Sequence, residues 1–307
     1  MRTDFEFDSF NEVKLEGHKW YSEDSQPRAI IVLSHGMAES ILRYEAFAQF
    51  LVDNQFVVYG HSHRGHGQLA AAAGKLGYIG EDGWNKMVED LKTVVDMAAK
   101  DFPGLPKVVY GHSMGSYVAR AFLKKYEHEA DAIVFSGTGF PSKMELIGAG
   151  TIAKIESVFN LKDEPSKRLD KLSFGKFNAQ IKDPRTPFDW LSTVEEEVDK
   201  YIENPLCGQI HPTSFFVNFI DGLYHLLYKN KPVFNEPQIP VLVLSGSNDP
   251  CGECETGVMK TGEYYKNLGF DTEILLYPKG RHEMLNEANR GEVYEDVIAW
   301  INRKIEI

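Results

Sequence analysis

The sequence predicts an α/β protein: a mostly parallel central sheet with helices on both faces and an inserted helical cap. Three observations lead there. Short, unbroken, β-branched runs recur along the chain, and amphipathic helical spacings alternate with them. The alternation lapses once, from Phe140 to about Pro237, and resumes at Pro240. The expected organisation is therefore a core half over 1–139, a helical insertion over 140–237 and a second core half over 238–307.

Phe5 and Phe7, then His18 to Tyr21, fit leading antiparallel strands. Ala29 to Ser34 (AIIVLS) is a strand buried on both faces, because it never alternates with polar residues. Tyr44 to Val52 has helical spacing, and Phe56 to Tyr59 (FVVY) is the next strand. Trp84, Met87, Val88, Leu91, Val94, Val95 and Ala98 recur at three- and four-residue steps and predict a long amphipathic helix. Pro103 and Pro106 punctuate the turn that follows. Lys107 to Tyr110 (KVVY) is then a strand and Met114 to Lys124 a helix. Ala132 to Ser136 and Pro240 to Ser245 are further buried strands. Thr272 to Tyr277 is the last strand and Val293 to Ile301 the closing helix. Strands and helices in this order build a parallel sheet with crossovers on both faces. In the insertion, Met144, Ile147, Ile152, Ile155 and Phe159 predict one helix. Phe215, Phe219, Ile220, Leu223, Leu226 and Leu227 predict another. Lys162 to Asn204 between them is charged and mixed in character, and the alanines at Ala70 to Ala73 read as a loop.

A net charge of -12 opposes nucleic acid and anionic membranes, whose phosphates would be repelled. No run of eighteen or more apolar residues is present, so no transmembrane segment is expected. Met1 to Phe10 lacks the basic stretch and apolar run of a secretion signal. Three cysteines, Cys207, Cys251 and Cys254, do not make a disulfide framework, and a cytoplasmic location is expected. Cys251 and Cys254 form a C-x-x-C with no second pair to complete a metal site. Neither metal nor cofactor is expected.

Gly111-His112-Ser113-Met114-Gly115 fits G-x-S-x-G, and it stands between a strand and a helix. That context suits a sharp turn presenting a serine nucleophile beside a helix N-terminus. A serine hydroxyl needs a base. Of ten histidines, His282 follows the last strand and would overhang the same sheet edge. His35, His61, His63 and His66 are expected to shape earlier loops, and His112 to point away from the site. His128, His211 and His225 suit surface or cap positions. Asp249 follows the strand ending near Leu244 and precedes His282, the order Ser, Asp, His. It would orient the imidazole and stabilise its charged form. The oxyanion hole is expected from the backbone N–H groups of Met114 and Met37, the second in the loop Ser34-His35-Gly36-Met37.

These motifs resemble the lysophospholipase and monoacylglycerol-lipase-like branch of the α/β-hydrolases, a group that shades into the serine aminopeptidases. The resemblance spans nearly the whole chain. It rests on His35-Gly36-Met37-Ala38-Glu39 with Arg43-Tyr44, on the G-H-S-M-G at Gly111 to Gly115, on His61-Ser62-His63-Arg64-Gly65-His66-Gly67, and on the loops at Asp249 and His282. It implies an α/β-hydrolase fold with a helical cap and a small-molecule acyl ester, usually a lipid monoester, as substrate. Ser62 replaces the usual Asp of the R-G-H-G loop, and Ser40 the His that often follows the Glu. Met144, Ile147, Ile152, Ile155, Phe159, Phe215, Phe219 and Leu223 are then expected to line an acyl slot. Two alternatives stay open. A proline-iminopeptidase-like peptidase would need a cap carboxylate, for which Glu195, Glu196, Glu197 and Glu203 are available. A non-catalytic receptor would keep the fold and bind a small molecule without turnover.

Overall fold

A computed structural model of the chain describes residues 1–159, 162–229, 234 and 239–306. Its strands are β1 (Arg2–Asp8), β2 (Lys14–Trp20), β3 (Ala29–Ser34), β4 (Phe56–His61), β5 (Lys107–His112), β6 (Ala132–Ser136), β7 (Val241–Gly246) and β8 (Thr272–Tyr277). They form one sheet in the order β1-β2-β4-β3-β5-β6-β7-β8. Pairing is antiparallel from β1 through β2 to β4 and parallel from there on. This is the mostly parallel α/β sheet that the apolar runs predict.

Because side chains alternate along a strand, each buried run feeds two cores. Ile30, Val32, Val109, Ile133 and Val243 face α3 (Gly83–Asp101), α4 (Met114–Lys125) and α9 (Thr256–Asn267). Ile31, Leu33, Val108, Val134 and Leu242 face α1 (Glu45–Asp53) and α10 (Arg290–Lys304). Parallel register sets the strand ends level, with Ser34 opposite Gly111 and His112 opposite Ser136. The loops after β3, β5, β7 and β8 therefore leave from one carboxyl edge, where ligands bind in sheets of this kind.

Between β6 and β7 lie α5 (Lys143–Phe159), α6 (Lys167–Asn178), α7 (Glu195–Glu203) and α8 (Thr213–Tyr228). The region 162–204 thus holds two helices: α6, which its mixed composition does not announce, and α7, which begins at the acidic run Glu195 to Glu197. The expected end of the insertion, at 237, falls outside the described residues. Helix α8 joins the main core through Phe215, Phe216 and Leu223. Ala70 to Ala72 are likewise not loop: they end a short helix, α2 (Gly67–Ala72). Its free N–H groups at Gln68 and Leu69 donate to Glu16 at 2.7 and 2.8 Å. Ser62 Oγ also donates to Glu16, at 3.1 Å. Strand β2 therefore supplies a carboxylate to the loop in which Ser62 replaces the usual Asp.

The same loop is anchored by a buried ion pair, Arg64 Nε to Asp90 Oδ2 at 2.9 Å. Arg64 also donates to Ser9 Oγ and to the Phe10 carbonyl, each at 2.6 Å. Asp90→Ala would leave the guanidinium buried without its counter-charge, which costs about 3–5 kcal/mol. Urea unfolding should show a loss of that size. A parent-like midpoint would mean that the pair does not anchor the loop.

Candidate active site

The nucleophile candidate sits at a strained point. Ser113 has φ 51° and ψ -120°, a conformation that an L-residue keeps only when its surroundings impose it. Gly111 and Gly115 allow the turn to close. A Cβ on Gly115 would lie 2.0 Å from the Ser34 carbonyl oxygen, and one on Gly111 2.4 Å from that of Gly115. Strands β3 and β5 and helix α4 therefore meet backbone to backbone. Met114 is the first residue of α4, directly after Ser113.

His282 and Asp249 come together from the loops after β8 and β7. His282 Nδ1 lies 3.0 Å from both carboxylate oxygens of Asp249. Asp249 is fully buried and also accepts from Ser245 Oγ at 2.7 Å and from the Cys251 N–H at 2.8 Å. Burial alone would raise its pKa, but the His282 charge and these hydrogen bonds bring it below the usual carboxylate value. Burial likewise works to lower the His282 pKa. The Asp249 charge and hydrogen bond, with Glu283 and Glu39 nearby, outweigh it and raise the value. His112 does not point away from the site: its ring lies 4.7 Å from that of His282, and it lines the same cavity as Ser113.

That cavity, about 200 Å³, brings Ser113, His282 and Met37 together under the insertion. Its apolar wall is Phe174, Phe188, Trp190, Leu191 and Ile210. This corrects the slot expected from helical spacing. None of its eight residues lines the cavity. Met144, Ile147, Ile155 and Phe159 are exposed, and Phe215 and Leu223 are core. The acidic candidates for a peptidase also lie elsewhere: Glu195, Glu196, Glu197 and Glu203 do not reach the cavity, whereas Glu39, Asp170 and Glu283 do. Sequence reasoning named Glu39 only as part of a loop motif and missed Asp170, Glu283 and also Trp190, whose ring lies 4.9 Å from that of His282. No local pattern marks Trp190. Its place is set by long-range bonds: Arg281 donates to the Asp189 and Ser192 carbonyls at 2.6 and 2.9 Å, and the Glu283 N–H to Leu191 at 2.7 Å.

The loop after β3 is held from both sides. Ala38, at φ 57°, donates its N–H to His66 Nε2 at 3.1 Å. Its carbonyl accepts from the Gly208 N–H at 2.8 Å and from Tyr201 Oη at 2.9 Å, both in the insertion. His66 Nδ1 faces the Arg64 carbonyl, and His35 Nδ1 that of Gly36, so each must carry its proton there. The other nitrogen of each accepts, from Ala38 and from the His63 N–H respectively, so both rings are neutral. His211 lies within the insertion but is fully buried, 3.5 Å from His66. Behind the cavity, Glu39 accepts from the Gly36 N–H and from Tyr44 Oη at 2.9 Å, and Arg43 pairs with Glu283. Burial and the Glu283 charge push the Glu39 pKa up to about 7. Cys251 is half-buried, Cys254 exposed, and both are free thiols.

A family model described as serine aminopeptidase, S33, matches residues 25–289. The monoacylglycerol lipase of Mycolicibacterium smegmatis is 28% identical over 303 residues, covering 98% of this chain and 97% of that one. Human monoglyceride lipase is 27% identical, covering 93% of this chain and 86% of that one. A solved carboxyl esterase from Bacillus coagulans, in complex with glycerol, is similar at a TM-score of 0.89 and 25% identity, with 99% of each chain covered. Among the described residues no helix is long and apolar enough to cross a membrane.

The buried histidines make a prediction about acid. Burial lowers the pKa of His61 to about 3 and of His66 to about 4, and lowers those of His35, His63, His112 and His211 as well. Unfolded, these rings take a proton near 6.5; folded, they resist it. The unfolded state therefore binds more protons below that pH, and stability falls by up to about 1.4 kcal/mol per pH unit for each ring. His282 runs the other way: its contribution is complete below 6.5 and is lost as pH rises through its raised value. The urea midpoint should drop steeply between about pH 7 and about pH 5. A flat midpoint there would mean that the folded chain protonates these rings freely.

Proposed function

The chain belongs to the serine aminopeptidase S33 family and is a carboxylic ester hydrolase of the α/β-hydrolase fold; on that premise we propose that it cleaves monoacyl lipid esters through an acyl-enzyme on Ser113. The observation that carries this reading is one buried constellation: a serine on a strained elbow, sharing a cavity with a histidine whose Nδ1 is spent on a buried carboxylate. The described residues of the insertion between β6 and β7 act as the cap over it.

Ser113 Oγ attacks the ester carbonyl carbon as its proton passes to His282 Nε2, the ring nitrogen that Asp249 leaves available. Asp249 stays ionised and stabilises the imidazolium. The Met37 and Met114 N–H groups receive the developing oxyanion, the second at the positive end of α4. Collapse breaks the ester bond, and the leaving alcohol takes the proton from His282. Water then repeats the sequence on the acyl-enzyme and releases the fatty acid. The apolar wall from Phe174 to Ile210 suits the acyl chain, and the monoacylglycerol lipases among the relatives supply the substrate class. The carboxylates at the cavity favour a second reading, an aminopeptidase that binds a free ammonium group. A monoacylglycerol and a prolyl arylamide, tested side by side, separate the two.

Ser113→Ala and His282→Ala should each cost on the order of a million-fold in kcat on p-nitrophenyl esters, and Asp249→Asn about ten-thousand-fold, with the fold retained by circular dichroism. Substantial turnover by Ser113→Ala would remove the serine from the mechanism. From acetate to longer p-nitrophenyl esters, below their micelle concentrations, kcat/KM should rise by up to about 0.8 kcal/mol per methylene until the apolar wall is covered. A flat or falling series would sink the lipid assignment.

A further inference from the structure

The Ser113 cavity contains polar groups that the reaction above does not use. Glu39 is committed to Gly36, Tyr44 and Arg43, and Glu283 to Arg43 and Asn286. Tyr201 is committed to the Ala38 carbonyl. Two side chains of the insertion remain. Gln209 lines the cavity, and both its Oε1 and its Nε2 are buried with no hydrogen-bond partner among the described residues. Asp170, on α6, lines the same cavity half-buried. Among the described residues its carboxylate also has no hydrogen-bond or ion-pair partner.

We infer that Asp170 and Gln209 select the leaving group, accepting an uncharged hydroxylated alcohol and rejecting one that bears a phosphate. The inference rests on the ester-hydrolase reading above and assigns the headgroup that it leaves open. An amide with donor and acceptor both unsatisfied is unfavourable in an interior, and a hydrocarbon chain cannot relieve it. A hydroxyl is donor and acceptor at once, so a vicinal diol can satisfy the amide and donate to the Asp170 carboxylate. Gln209 directly follows Gly208, whose N–H holds the Ala38 carbonyl, so the amide stands beside the loop expected to receive the ester oxygen. Charge supplies the rejection. The cavity is lined by the carboxyl groups of Glu39, Asp170 and Glu283, and among the described residues no Lys or Arg lines it. Arg43, behind them, is shared between Glu39 and Glu283. A phosphate would meet the unpaired Asp170 carboxylate, with no Lys or Arg among the described lining residues to offset it.

Three esters of one acyl chain test this: 1-decanoylglycerol, ethyl decanoate and 1-decanoylglycerol 3-phosphate, each below its micelle concentration. The wild-type chain should cleave the glycerol ester at least about a hundredfold faster, by kcat/KM, than the phosphate-bearing one. Gln209→Met should lower the ratio of glycerol ester to ethyl ester about tenfold, mainly through KM. Asp170→Asn, nearly isosteric, should narrow the gap to the phosphate ester by about tenfold. Equal wild-type rates on the glycerol and phosphate esters would overturn the inference, as would ratios that neither substitution moves. In both cases the hydrolase reading stands if ethyl decanoate is cleaved. Failure of the wild-type chain on all three esters would overturn both.

Discussion

The site depends on a single backbone constraint: the end of β5 turns into α4 while pressed against the end of β3. The missing side chains at Gly111 and Gly115 let the three segments approach to contact, and Ser113 is carried into its strained conformation as a result. Two further features follow. Helix α4 must begin at Met114, so its N-terminal dipole points at the serine. The loop after β3 starts from the Ser34 and His35 carbonyls that Gly115 touches, which fixes its height above the sheet edge.

Around this point the protein uses burial in two opposite senses. His282 is buried beside an equally buried carboxylate, and the charge and hydrogen bond of Asp249, with Glu283 and Glu39 nearby, together outweigh desolvation. The rings of His35, His63, His66 and His211 are buried with no carboxylate hydrogen-bonded to them, which disfavours their charged form, and those of His35 and His66 serve as fixed donors and acceptors for the backbone. The same residue type has its charged form favoured in one place and disfavoured in the other, and the partner of the ring decides which.

The insertion joins this scaffold through the backbone on both sides of the cavity. Gly208 and Tyr201 hold the Ala38 carbonyl on one side, and the carbonyls of Asp189, Leu191 and Ser192 hold the histidine loop on the other. Cavity-lining residues such as Trp190 and Ile210 are therefore positioned relative to the serine and histidine and do not float above them. An insertion tied in this way can shape the two sides of the cavity separately.

The sequence alone determined the sheet, its helices, and the positions of Ser113, Asp249 and His282 at strand ends, because these are local matters. An unbroken β-branched run must be buried on both faces, and two glycines flanking a serine after such a run leave little but a tight turn. It also carried the loop motifs at His35 and His63. It did not show what faces the cavity. Helical spacing on α5 marked Met144, Ile147, Ile155 and Phe159 as one stripe, but spacing states only that residues share a face, not what that face meets, and these proved exposed. Trp190, Asp170, Gln209 and Glu283 lie in stretches without a clear period, and contacts many residues away bring them to the serine. Only the tertiary structure could decide them, because hydrogen bonds between distant loops leave no periodic trace in a chain, whereas burial of a strand or a helix face does.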